Sequence, residues 1–183
     1  PFITLWHIES NDENLTIPID TDYSYDYTVN WGDGNIDKNV TNSKTHTYST
    51  KGDYTVKITG VFPAIRMISH ENASNDGMAS NGTDEENENA EKLIRISQWG
   101  DIAWSSFHNA FAFAENMEVN AIDTPDLSSV DSTRNMFYHT SNFEGNKYFN
   151  EWNVRNITDM QGMFYNAYSF NQPLKDWDVS GVT

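Results

Sequence analysis

Five histidines, 27 acidic side chains and no cysteine bound the chemistry open to this 183-residue chain. The histidines are His7, His46, His70, His108 and His139, and no two stand at the spacing that lets one helix face hold zinc. Without cysteine there is no thiolate ligand, no thiol nucleophile and no disulfide. Serines are plentiful, but no Gly-x-Ser-x-Gly elbow presents one as a nucleophile. Two carboxylates could act as the acid and base of a glycosidase, yet nothing in their spacing selects a pair. The sequence therefore assigns no catalytic, cofactor-binding or metal-ligating residue, and the chain is expected not to be an enzyme.

Two acidic features still invite a cation. Asp33 stands between Gly32 and Gly34, but a lone carboxylate lacks the alternating oxygen ligands of a calcium loop. A turn-capping role, accepting nearby backbone N–H groups, is the simpler expectation. The stretch Glu71–Glu91 holds seven acidic residues and no basic one. Its Asp76, Asp84, Glu85, Glu86 and Glu88 offer hard oxygen ligands, which leaves calcium as the one cofactor open. A solvated linker explains the same run without a ligand. The tryptophans also read two ways. Trp99, Trp104, Trp152 and Trp177 either stack in a core or line a face for sugar rings or peptide side chains. Their regular placement favours the core.

Composition narrows the partners. Hydrophobic residues make up 37% of the chain and aromatics 14%, enough large rings to build a folded core. The net charge of −16 argues against nucleic acid, whose phosphates require a basic surface, and against anionic lipid. No run of about 18 apolar residues exists, so no membrane insertion is expected within the chain. The chain opens on Pro1 without a signal segment, so any signal or anchor is expected outside it.

Three zones must position these residues. In residues 1–68, Phe2-Ile3-Thr4-Leu5-Trp6 and Leu15-Thr16-Ile17-Pro18-Ile19 read as short strands. Tyr23–Trp31 and Asp53–Val61 alternate with period two, with Gly32-Asp33-Gly34-Asn35 and Ser49-Thr50-Lys51-Gly52 as turns. Short strands punctuated in this way predict a β-sandwich. Residues 69–91 read as an acidic linker or loop, with a helix expected over Asp84–Leu93.

Residues 92–183 repeat. Asp126-Leu127-Ser128-Ser129-Val130 recurs as Asn153-Val154-Arg155-Asn156-Ile157 and Asp178-Val179-Ser180-Gly181-Val182, spaced by 27 and 25 residues. Asn135-Met136-Phe137-Tyr138 recurs as Gly162-Met163-Phe164-Tyr165, and each unit closes on Trp152 or Trp177. A period of ~25 residues predicts a solenoid in which stacked neighbours bury together what one unit cannot. Ile157–Met160 is expected to be a strand in a parallel sheet. Met163, Phe164, Ala167 and Phe170, at near-helical spacing, are expected to form a short helix opposite it.

Two resemblances rest on these residues. Val29-Asn30-Trp31-Gly32-Asp33-Gly34, followed by Thr45-His46-Thr47-Tyr48 and Gly52-Asp53-Tyr54-Thr55-Val56, resembles a polycystic-kidney-disease (PKD) domain. Trp152-Asn153-Val154-Arg155-Asn156-Ile157-Thr158-Asp159-Met160, continued by Met163-Phe164-Tyr165-Asn166-Ala167 and Phe170-Asn171-Gln172, resembles the units of BspA-like leucine-rich-repeat surface proteins of bacteria. The preceding unit departs from that pattern at Thr133-Arg134-Asn135 and carries two extra residues near Glu144-Gly145-Asn146.

Together the resemblances imply a mainly β protein with short helices. An N-terminal Ig-like or PKD-like β-sandwich over 1–68 leads, past the linker, into a right-handed leucine-rich-repeat-like β/α solenoid over 92–183. That solenoid would be an N-terminal cap plus about two full repeats, cut from a longer array. The function implied is non-catalytic: a secreted or cell-surface bacterial protein for adhesion, meeting a host or neighbouring-cell surface protein. A glycan partner, as in a carbohydrate-binding or spacer region of a secreted polysaccharide-degrading enzyme, is the alternative.

Overall fold

Period-two alternation builds the first zone. In strand β1 (Phe2–Ile8), Phe2, Thr4, Trp6 and Ile8 all point inward and are buried. The computed structural model describes residues 1–68 and 84–183, and over these the protein is mainly β with few helices. β1 pairs antiparallel with β6 (Gly52–Val61), which pairs with β3 (Asp26–Asn30), and β3 pairs with β4 (Ile36–Val40). A second, two-stranded sheet joins β2 (Glu13–Ile17) to β5 (Lys44–Tyr48). Its buried Leu15, Ile17 and Tyr48 share one core cluster with Trp6, Val29, Trp31 and Val56.

The Gly-Asp-Gly turn sits tightly on β6. Gly32 has φ +86°, and a Cβ there would lie 2.6 Å from the Thr55 carbonyl oxygen. Only glycine suits both the left-handed backbone and that approach. β4 escapes the sequence reading because its side chains, Ile36-Asp37-Lys38-Asn39-Val40, are mixed and largely exposed on a sheet edge.

The acidic segment is partly visible. Residues 69–83, with His70 and Asp76, lie outside the described residues. The expected helix is present as α1 (Asp84–Glu91), ending two residues early because Leu93 enters β7 (Leu93–Gln98). Asn89 of α1 acts on β2 as a strand would. Its Oδ1 accepts from the Thr16 N–H at 3.1 Å and its Nδ2 donates to the Thr16 carbonyl at 2.9 Å. An edge strand's unpaired groups are thereby covered by one side-chain amide.

β7 adds to the other side of β1 and pairs in parallel with the two-residue β8 (Glu118–Val119). The six-stranded sheet, in order β4-β3-β6-β1-β7-β8, thus runs from the first zone into the third.

Beyond β7 the repeat units stack by backbone. The N–H groups of Phe107, Asn109, Phe111 and Phe113 donate to the carbonyls of Ser132, Arg134, Met136 and Tyr138 at 2.8–3.1 Å. One unit on, those of Thr133, Asn135, Phe137 and His139 donate to Asp159, Gln161, Met163 and Tyr165 at 2.8–2.9 Å. Alternate residues therefore bind the next unit, as in a parallel sheet.

The helix expected over Met163, Phe164, Ala167 and Phe170 is absent: the segment is a run of turns. An α-helix would direct those amides to carbonyls four residues back, and the preceding unit has already committed the corresponding groups to its neighbour. The backbone also turns left-handed at two fixed places per unit. Asn109, Asn135 and Gly162 take φ of +54°, +54° and +66°, and Phe113, His139 and Asn166 take +64°, +58° and +59°. Asn and Gly tolerate that region best, and no α-helix passes through it. The strand expected over Ile157–Met160 is likewise reduced to one parallel bridge, Ser132 to Asp159, matched by Ala103 to Asp126.

Candidate recognition surface

The turn-capping reading of Asp33 is what the geometry contains. Its Oδ1 accepts from the Asn35 N–H at 2.9 Å, and its Oδ2 meets Asn35 Nδ2 at 2.9 Å and His46 Nε2 at 2.8 Å. The His46 ring stacks on Trp31 at 4.8 Å and 18° and meets Tyr48 edge-on. Burial by itself raises the Asp33 carboxyl, but the Asn35 and His46 hydrogen bonds together outweigh it and hold the group below the usual carboxylate range. Asp33 and His46 thus form a packed structural pair that fastens the Gly-Asp-Gly turn to β5.

The other histidines are dispersed. His7 Nδ1 lies 2.6 Å from Asp53 Oδ1 on the exposed β1–β6 surface, while His139 stacks on Phe113 at 5.1 Å. Among the described residues no group of three His, Cys, Asp or Glu could hold a metal ion. Of the acidic candidates, Asp76 and the side chains of Asp84 and Glu85 lie outside the described residues. Glu86 and Glu88 line a cleft between β2 and α1 that also contains Glu9, Glu13 and Lys92. There Lys92 Nζ bridges Glu13 at 3.1 Å and the Asn14 carbonyl at 2.8 Å.

Three of the four tryptophans behave as core. Trp99, Trp104 and Trp152 are buried, with Trp99 edge-on to Trp152 at 5.4 Å. Trp177 is half-buried, stacks on Trp152 at 6.3 Å and 16°, and donates its Nε1–H to the Phe149 carbonyl at 2.6 Å. No sugar platform is formed by these rings.

A tyrosine stack on the repeat units is the feature that residue-by-residue reading missed. Phe137 is fully buried and the next residue, Tyr138, is buried too; one unit later Phe164 is half-buried and Tyr165 is exposed. The Tyr138 and Tyr165 rings stack at 5.1 Å and 11°. Tyr168 Oη donates to Asn166 Oδ1 at 2.8 Å, and Asn166 Nδ2 lies 2.9 Å from His139 Nε2. An amide nitrogen only donates, so His139 accepts there and carries its proton on Nδ1. Burial pushes the His139 imidazole below its usual range, a shift the nearby Glu115 charge partly offsets. The signal was available in the repeat: Met136-Phe137-Tyr138 and Met163-Phe164-Tyr165 carry the same aromatic pair.

Comparison with known proteins bears on the repeat zone. Residues 105–183 match the family described as "Mycoplasma protein of unknown function, DUF285". Neither a curated protein nor a solved structure matches the chain. No helix among the described residues is long and apolar enough to cross a membrane.

Proposed function

We propose that this is a non-catalytic extracellular recognition protein, displayed at or released from a bacterial surface. In this reading residues 1–68 form a PKD-like, Ig-like sandwich that serves as a spacer, and 69–91 an acidic connection. Residues 92–183 form a leucine-rich-repeat-like solenoid whose flank binds a host or neighbouring-cell surface protein.

The observation that carries the reading is the ladder of alternate amides between repeat units. It holds the units together through main-chain groups, so exposed side chains can vary for binding without breaking the stack. The resemblance to BspA-like units supports the surface location, and the matched stretch 105–183 lies within the proposed solenoid.

Labelled protein added to host cells and to neighbouring bacteria tests it. Saturable binding that disappears when the target cells are treated with protease is expected, together with cleavage of the native protein by protease added to intact producing cells. Absence of saturable binding, or a native protein shielded from external protease, contradicts it.

A further inference from the structure

We infer that residues 1–68 have a second role beside that of a spacer: they cap the repeat stack, and residues 62–68 stand where a preceding unit would stand. This goes beyond the proposed function and holds whatever the stack binds.

The bonds that join one repeat unit to the next recur at this junction. Between units, the Asp131 carbonyl accepts from the Thr158 and Asp159 N–H groups at 2.8 and 3.2 Å; at the junction, the Pro63 carbonyl accepts from those of Ser105 and Ser106 at 2.7 and 3.4 Å. Ser132 forms a parallel bridge with Asp159, and Ala64 forms one with Ser106. The Asn135 N–H donates forward to the Gln161 carbonyl at 2.9 Å, and the Met67 N–H donates forward to the Asn109 carbonyl at 3.1 Å. Residues 62–68 carry neither the closing tryptophan nor the Met-Phe-Tyr run of a unit, so only the backbone reveals the likeness.

Unlike a repeat unit, this segment is closed off from behind by the first zone. The Tyr25 hydroxyl reaches the Ala64 carbonyl at 3.0 Å, and the Arg66 side chain is buried against Asp20. Pro63 has no N–H to leave unpaired. Rings interlock across the junction as well. Phe2 meets Trp104 edge-on at 5.1 Å and stacks on Trp99 at 6.0 Å, and Phe62 meets Trp104 edge-on at 6.1 Å. All four rings are buried. Without residues 1–68, Trp99 and Trp104 would face water beside the unpaired amides of Ser105 and Ser106, an end prone to association with other chains. A domain that serves only as a spacer unfolds on its own, whereas a cap and its stack unfold together.

The test labels the intact chain with 5-fluorotryptophan and follows Trp31 against Trp152 and Trp177 by fluorine NMR through a urea titration. One shared midpoint is expected. Val29→Ala, fully buried in the first zone, is expected to lower the midpoint of all three reporters by the same amount. Tyr25→Phe is the milder variant if Val29→Ala does not fold, with the same expectation. Hydrogen exchange is expected to protect the Ser105 and Met67 amides as strongly as those of Phe107 and Asn109. The inference is overturned if Trp31 unfolds at a midpoint separate from that of Trp152 and Trp177, or if the variant lowers the midpoint of Trp31 alone. Rapid exchange at Ser105 and Met67 while Phe107 stays protected likewise overturns it, leaving residues 1–68 as a spacer only.

Discussion

The ring of Tyr138 lies parallel to that of Tyr165 one repeat unit later, 5.1 Å apart and 11° from coplanar. The same unit-to-unit stacking runs through the core as Phe111 on Phe137 at 5.8 Å and Phe137 on Phe164 at 5.6 Å. Both stacks run from one unit to the next, and the tyrosine stack reaches solvent at Tyr165.

Phe137→Ala should show the difference between a buried ring and an exposed one. Phe137 is fully buried and also stacks on Phe143 at 4.6 Å, so its loss should cost about 3–5 kcal/mol in denaturant unfolding. Tyr168→Ala, at an exposed position, should stay within about 0.5 kcal/mol. Equal costs for the two variants would contradict the inside-outside assignment.

Gly162→Ala tests the left-handed position. Gly162 has φ +66°, and an added Cβ would collide with Asn135 Oδ1. The backbone strain alone is about 1–2 kcal/mol. Gly181→Ala serves as the control, since the nearest atom to its Cβ is at an ordinary 3.5 Å. A thermal melt in which both glycines tolerate alanine equally would remove the proposed backbone requirement.

Arg66 and Asp20 form a buried ion pair, with side chains 1% and 4% exposed and Nη1 3.1 Å from Oδ2. Arg66 Nε also donates to the Ile68 carbonyl at 2.8 Å. Arg66→Met would leave the Asp20 carboxylate buried without its guanidinium and should cost about 3–5 kcal/mol. Adding Asp20→Asn should recover part of that loss. No recovery in the double variant would show that Arg66 acts through packing alone.

Asp33 gives a pH signature. Its folded pKa lies below the unfolded value, so the carboxylate stabilises the fold above the unfolded pKa. That contribution is lost as pH falls through the folded value. Asp33→Asn should therefore be less stable than the parent at neutral pH, with the gap closing as pH falls below the usual carboxylate range. A gap that is constant with pH would assign the effect to turn geometry instead of charge.

His139 has the same proton balance in a higher pH window. Its imidazole is lowered in the fold, so the unfolded chain binds the proton first and stability falls as pH drops from about 6.5 toward the folded value. His139→Gln should flatten that part of the profile in a series of denaturant titrations. An unchanged slope would place the acid sensitivity elsewhere.

Much of the β framework was legible because alternation and turn chemistry act locally. Phe2, Thr4, Trp6 and Ile8 mark their inward face by spacing alone, and Gly32-Asp33-Gly34 marks its turn. β4 was not legible, since an edge strand need not alternate. The placement of Leu93–Gln98 beside β1 is a contact across more than eighty residues, which no local pattern encodes. The apolar spacing of Met163, Phe164, Ala167 and Phe170 predicted a helix because it reports which side chains face inward, not which carbonyl each amide meets. Asn109, Asn135 and Gly162 carried the missing clue: residues that tolerate positive φ at one fixed place in each unit. The tyrosine stack was hidden because the tryptophans offered a more conspicuous aromatic repeat, of which Trp99, Trp104 and Trp152 pack inside.

Amide hydrogen exchange followed by NMR tests the stacked-unit scaffold most directly. Strong protection is predicted at Phe107, Asn109, Phe111 and Phe113 and at Thr133, Asn135, Phe137 and His139. Consecutive, helix-like protection through 161–170, or rapid exchange at all eight amides, would contradict the account.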